Sequence, residues 1–300
     1  MAATHIIAPF LHANGGDWQA IDLYLSLRES VETLHLWAAK PPHPALQHYP
    51  IQEIRPYQQQ VPLNGTLYIV GAMTPVGHWY AKGKFDRVVL MHNLSGQEVF
   101  YRCMHHLNAM QPRQIEICYA SRMVKDSIGL PGEVRHPLPH PGRFSPHTAP
   151  ATKNRRPFTV GRISRDVKTK HHPRDTALYR ELADRGIQIR IVGGTCLAPW
   201  LAHTPNIELL PEIAQHEVPA MLASFDCFYY RVTSQTKEAF GMVVAEAALS
   251  GLPVVAYDEG GYTEWLCDKA NGFLFKSNAE AVHYLLGMQK DGATAGRPKR

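Results

Sequence analysis

The chain has no C-x-x-C pair, and none of its apolar runs approaches the roughly 18 residues that a membrane-spanning helix needs. Its five cysteines, Cys103, Cys118, Cys196, Cys227 and Cys267, are odd in number and show no paired spacing. They read as reduced thiols rather than a disulfide framework. The opening residues, MAATHIIAPFLHANGG, lack the basic segment, long apolar core and small-residue cleavage site of a secretory leader. The expectation is therefore a cytoplasmic protein, at most resting on the inner face of a membrane. Charge of one sign is also scarce: 31 Lys and Arg against 26 Asp and Glu leave a formal +5, which 17 histidines raise below neutral pH. That suits an anionic ligand but is far from what nucleic acid demands, so no nucleic-acid partner is expected. His136 and His140 stand four apart, yet Pro137, Pro139 and Pro141 forbid the helix that would align them, and no acid or cysteine completes a metal set.

At 300 residues, 45% hydrophobic and 19% charged, the chain can bury one large or two medium cores. It is organised around Lys237 to Gly261, KEAFGMVVAEAALSGLPVVAYDEGG. Ala245, Ala247, Ala248 and Leu249 favour helix, Ser250 and Gly251 close it, and LPVVAY reads as a buried strand. A helix starting near Phe240 leaves the amides of its first turn free to meet an anion. Glu238 and Glu246 are eight residues apart, about 12 Å at the helical rise, which is the reach of a sugar nucleotide from hexose to ribose. Carboxylates repel a diphosphate unless they face hydroxyls, so one acid would hold a sugar and the other a ribose. For the spacing alone, a half-exposed helix with two surface acids is the competing reading. Arg162, Arg165, Lys168 and Lys170 follow a predicted strand and can neutralise a diphosphate without a metal. The chain has no Asp-x-Asp to hold a divalent ion there, and no metal is expected.

The stretch EAFGMVVAEAALSGLPVVAYDEGGYTEWLCDKANGFLF resembles the signature block of the retaining glycosyltransferases of family four. The likeness is good over 158–275 and present in outline over the first 150 residues. It implies the GT-B fold, an α/β architecture of two Rossmann-type parallel-sheet domains facing a central cleft, and transfer of a sugar from a nucleotide-sugar donor with retention at the anomeric carbon. It places Glu238 at the donor sugar and Glu246 on the ribose, with Phe240, Gly241 and Met242 about the phosphates. Arg162 and a lysine, matched better by Lys170 than by Lys168, would contact the diphosphate. The segment around Leu209 and Leu210 would lie against the nucleobase. Gly15 and Gly16 would form a loop facing phosphates and acceptor. His92, at a strand end, would hold the acceptor or steady charge on the sugar; an ordinary hydrogen-bonded histidine is the competing reading. Donor and acceptor are substrates, so no resident cofactor is implied. The acceptor would be a glycan or lipid-linked, as in bacterial-type glycan or glycolipid assembly. A nucleotide-sugar epimerase and a non-catalytic nucleotide-sugar-binding protein are the alternatives.

Along the chain, strands are expected at 5–10, 32–37, 66–70, 87–91 and 115–119, and helices at 96–110 and 121–128. A turn at Asn14, Gly15 and Gly16 precedes a helix capped by Asp17. Residues 41–62 read as extended. VRHPLPHPGRFSPHTAPATKNRRP has a linker's composition, giving an acceptor-side domain at 1–150, a nucleotide-sugar-binding domain at 151–290 and a disordered tail at 291–300. In the second domain strands at 158–163, 187–194, 207–210 and 227–230 alternate with helices at 177–185 and 217–224, and a last helix spans 278–288. Such alternation predicts a parallel sheet with right-handed crossovers.

Overall fold

The computed structural model describes residues 3–74, 79–80, 83–144, 156–233, 237–266 and 271–290. The chain divides into two compact units, residues 1–140 and 141–300. The expected tail and Cys267 lie outside the described residues.

In the first unit the elements run β1 (Thr4–Ile7), α1 (Gly15–Leu27), β2 (Leu34–Ala38), β3 (Ile51–Glu53), β4 (Gly65–Val70), β5 (Phe85–His92), α2 (Gln97–Met110), β6 (Gln114–Tyr119), α3 (Arg122–Ile128) and β7 (Glu133–Val134). The sheet order is β3-β2-β1-β4-β5-β6-β7, with every pairing parallel. Runs such as GTLYIV are apolar on both faces because helices cover a parallel sheet on either side. Ile6, Phe10, Trp18, Ile21, Leu36, Val70 and Val89 share one core.

The start of α1 departs from expectation. Asn14, not Asp17, is the cap: its Oδ1 accepts from Gly16 N at 3.0 Å and Asp17 N at 3.3 Å. Asp17 reciprocates by accepting from Asn14 N at 3.4 Å, His12 N at 3.1 Å and Phe10 N at 2.7 Å. One buried carboxylate thus pins the whole β1-α1 loop, and Gly15 and Gly16 open the helix instead of forming the turn before it.

The segment read as a linker is partly built in. Glu133–Val134 pairs with β6, Arg135 N donates to Tyr119 O, and Phe144 is fully buried in the second unit's core. Prolines suit this edge of the sheet because they need no ladder donor, and the change of unit falls at 140/141, ahead of the stretch near 150. Residues 145–155 lie outside the described residues.

The second unit runs β8 (Thr159–Ile163), α4 (Asp175–Asp184), β9 (Gln188–Val192), α5 (Ala198–Leu201), β10 (Ile207–Leu210), α6 (Val218–Ala223), β11 (Cys227–Tyr230), α7 (Met242–Leu249), β12 (Val254–Tyr257), β13 (Phe273–Phe275) and α8 (Asn278–Lys290). Its parallel sheet has the order β10-β9-β8-β11-β12-β13. Alternating side chains feed two apolar layers. Cys227 and Tyr229 join one with α4 and α8, while Phe228 and Tyr230 join the other with α6 and α7. The order reverses between β8 and β11, and ligands of open parallel sheets bind beyond the carboxyl ends at such a reversal.

Candidate active site

The chain leaving β8 makes a short 3-10 turn, Lys168–Lys170, and the chain leaving β11 reaches Glu238. The two strands are neighbours, so residues 68 apart in sequence meet: Lys170 Nζ donates to Glu238 Oε1. The Tyr230 hydroxyl, at the last residue of β11, donates to the same oxygen at 2.8 Å. Arg162 Nη2 donates to the Lys170 carbonyl, and its guanidinium lies 4.9 Å from the centre of the Tyr230 ring. Burial first, then the Glu238 carboxylate, pushes the Tyr230 hydroxyl well above its ordinary range, so it stays a proton donor.

Immediately beyond Glu238, Gly241 caps α7 with φ 83°; a Cβ there would come within 2.8 Å of the Tyr262 ring. Glycine is required on both counts. The amides of Gly241, Met242 and Val243 donate no hydrogen bond among the described residues, so the positive pole of α7 is open. The helix begins at Met242 rather than near Phe240, because the left-handed Gly241 cannot extend it, so the helical ruler between the two acids applies only from Met242 on. Gly251, with φ 77°, ends it as expected. Glu246 is 4% exposed; Gln215 Nε2 donates to its Oε1 at 2.8 Å, and Arg143 Nη2 lies 4.0 Å away.

Of the two lysines, Lys170 reaches the acid, whereas Lys168 Nζ sits 5.3 Å from the centre of the Trp200 ring. Arg162 is 1% exposed, and its Nε and Nη1 meet no hydrogen-bond acceptor within the geometric limits among the described residues, so it backs the Lys170 turn from inside. His171, the next residue, is buried; its Nε2–H donates to Gly193 O at 2.8 Å, and burial and Arg162 hold it down at about 4, hence neutral. Phe240 is buried with its ring 5.7 Å from Trp265, so only its backbone is left to meet a ligand. The Leu210 carbonyl accepts from Gly193 N at 2.9 Å and Gly194 N at 3.0 Å.

In the first unit, His92 is fully buried at the end of β5, 4.9 Å from the Phe100 ring, and burial pushes it down to about 4. It is a neutral core histidine, not a side chain offered at the sheet edge. Its neighbour Asn93 takes that place, donating through Nδ2 to Gln19 Oε1 at 3.0 Å beside Gly16 and Gly71. His136 Nδ1–H donates to Ala120 O at 3.0 Å. Among the described residues, no three His, Cys, Asp or Glu side chains gather, and no helix is long and apolar enough to cross a membrane.

Sequence reasoning missed Tyr230, Tyr262, Gln215 and Arg143. Tyr230 ends an expected strand and Tyr262 stands within the quoted block without a charge to single it out, and the other two lie in loop or linker-like sequence.

Residues 147–294 match the family model Glycosyl transferases group 1. The second unit is a group 1 glycosyltransferase domain. Solved structures similar to this chain include HepE of Anabaena in complex with UDP and glucose, at 16% identity over 98% of this chain and 92% of that one, TM-score 0.69. Sucrose-phosphate synthase from Thermosynechococcus elongatus follows at 13% identity over 99% and 92%, TM-score 0.69. WaaG, a glycosyltransferase involved in lipopolysaccharide biosynthesis, matches at 11% identity over 97% and 92%, TM-score 0.64. No curated protein matches in sequence. The glycosyltransferase domain thus sits in a chain whose two parallel-sheet units have the GT-B fold.

Proposed function

We propose that this chain transfers a sugar from a nucleotide-sugar donor to a glycan or lipid-linked acceptor, with retention and without a metal, in bacterial-type glycan or glycolipid assembly. The observation that carries this is the meeting of Lys170 and Glu238 beside the open amides of α7, at the strand-order reversal of the glycosyltransferase domain. The leaving diphosphate gains negative charge as the sugar departs. The amides of Gly241, Met242 and Val243 are donors fixed in advance for that charge, and the Lys170 ammonium turns to it from Glu238. Arg162 adds positive charge from behind and holds the Lys170 backbone. Glu238 takes a hydroxyl of the donor sugar, and Glu246, steadied by Gln215, takes the ribose hydroxyls. The backbone about Leu210 lies against the base, and the edge bearing Gly15, Gly16 and Asn93 serves the acceptor. A lipid-linked acceptor would bring the protein to the inner face of a membrane.

UDP-bound HepE makes UDP sugars the first donors to test. Thermal shift with UDP, GDP and ADP sugars identifies the donor, since a ligand of the native state raises Tm. Release of nucleoside diphosphate then reports turnover, expected to be unchanged by EDTA. Glu238→Ala and Lys170→Met should each cost at least about a hundredfold in kcat/KM, as loss of a charged hydrogen-bonding group aimed at the transition state does, whereas Lys168→Met should stay within about threefold. Equal losses at both lysines, or none at Glu238, would refute the assignment.

A further inference from the structure

Glu238 receives two donors on one oxygen. Lys170 Nζ and the Tyr230 hydroxyl both bond Oε1, while Oε2 has no hydrogen bond among the described residues and is not a buried orphan. The two donors differ in kind. A lysine ammonium sits on a flexible four-carbon stem that can turn. The Tyr230 ring is fixed on three sides: stacked on Phe228 with centroids 6.1 Å apart and planes at 14°, edge-on to Tyr262 at 6.0 Å, and faced by the Arg162 guanidinium at 4.9 Å. Its hydroxyl therefore has a fixed origin.

We propose that Tyr230 is a positioning residue for the donor sugar: its hydroxyl locks Oε1 of Glu238 so that Oε2 is presented to a sugar hydroxyl, and it keeps that lock when Lys170 turns to the diphosphate. The inference rests on reading Glu238 as the acid at the donor sugar. It adds a residue that no charge pattern marks, because a tyrosine closing an apolar strand looks like core.

Tyr230→Phe removes the hydroxyl and leaves the ring, its stacking and the arginine contact. With the nucleotide sugar that raises Tm most among UDP-glucose, UDP-N-acetylglucosamine, GDP-mannose and ADP-glucose, this variant should lose about ten- to hundredfold in kcat/KM, the worth of one hydrogen bond to a charged acceptor. Affinity for the matching nucleoside diphosphate should stay within about twofold. Tyr230→Phe in the Glu238→Ala background should add no further loss. Full activity of Glu238→Ala would sink the proposed function itself. An inactive Glu238→Ala beside a fully active Tyr230→Phe would overturn this inference alone, as would equal losses of nucleoside diphosphate and nucleotide-sugar binding, which mark a merely structural role. Should the Phe variant not fold, 3-fluorotyrosine at 230 keeps ring and hydroxyl. Its fluorine resonance should then shift further with the nucleotide sugar than with the diphosphate, and identical shifts would refute the proposal.

Discussion

Acid should loosen this protein well before its carboxylates protonate. His92 in the first unit and His171 in the second are both held at about 4 by burial, and both are neutral when folded. Unfolded, each returns to about 6.5. Between those values the unfolded chain binds the extra proton, so the stability present above pH 6.5 is lost as pH falls and the loss levels off below about 4. At pH 5 an unfolded histidine is almost wholly charged and a folded one almost wholly neutral, which costs about 2 kcal/mol per residue, or roughly 30-fold in the unfolding constant. His5 and His172 are shifted the same way and add to the effect. Glu116 and Asp166, shifted down by Arg87 and by Thr195 and Cys196, act in the same direction only at lower pH, which is why the comparison stops at pH 5. The assay is urea unfolding at pH 7 and pH 5 at constant ionic strength, with His92→Leu as the diagnostic variant. Wild type should lose about 2 kcal/mol or more in each unit. His92→Leu should remove that share of the pH dependence from the first unit only. An identical pH dependence in wild type and His92→Leu would show that the buried imidazole is not what acid attacks.

The remaining outcomes concern stability. Gly193 has φ 70°, and a Cβ would lie 1.8 Å from the Ser164 carbonyl oxygen, so Gly193→Ala should lower urea-unfolding stability by more than about 3 kcal/mol or prevent folding. Gly186→Ala, at φ 81° with open space around it, should cost about 1 kcal/mol. Asp175 accepts from Arg231 Nε at 2.7 Å and from the Tyr229 hydroxyl at 2.8 Å inside the second unit, so Asp175→Ala should lose about 3–5 kcal/mol by stranding a buried cation. The double variant with Arg231→Met should recover part of that loss in the same assay.

Much of the architecture was legible because its signals are long and redundant. Strands such as GTLYIV and FDRVVLMH are largely buried on both faces, and their alternation with helices leaves few topologies besides a parallel sheet. The shortest pieces were not legible. β3 and β7 have three and two residues, too few to show a period, and what holds them is pairing with β2 and β6. The proline-rich run after Val134 does contain the change of unit, at 140/141, but composition does not show which of its residues are built into the units. Composition registers missing amide donors, but it does not register that Phe144 at the far end finds a core to fill. At the head of α1, two side chains competed for the cap. Asn14 won because its residue is extended, φ −88° and ψ 179°, and it precedes the first turn, whereas Asp17 is already inside it.

The acids and the lysine could be named as candidates from residue type; their meeting could not, because it depends on strand order. Lys170 follows β8 and Glu238 follows β11, and only the reversal that sets those strands side by side brings the two ends together. Had β9 lain between them, the same residues would stand about 10 Å apart, two strand spacings, beyond any hydrogen bond. The same adjacency explains Tyr230. In CFYY every residue is buried, and alternation sends Phe228 and Tyr230 to one layer. Only the last position of the strand lets a ring remain in that layer while its hydroxyl emerges where the chain from β8 passes. A tyrosine two residues earlier would need an internal partner instead, as Tyr229 on the opposite face finds in Asp175. Whether a strand tyrosine belongs to the core or to the site therefore turns on its distance from the carboxyl end of its strand, a quantity fixed by register rather than by composition.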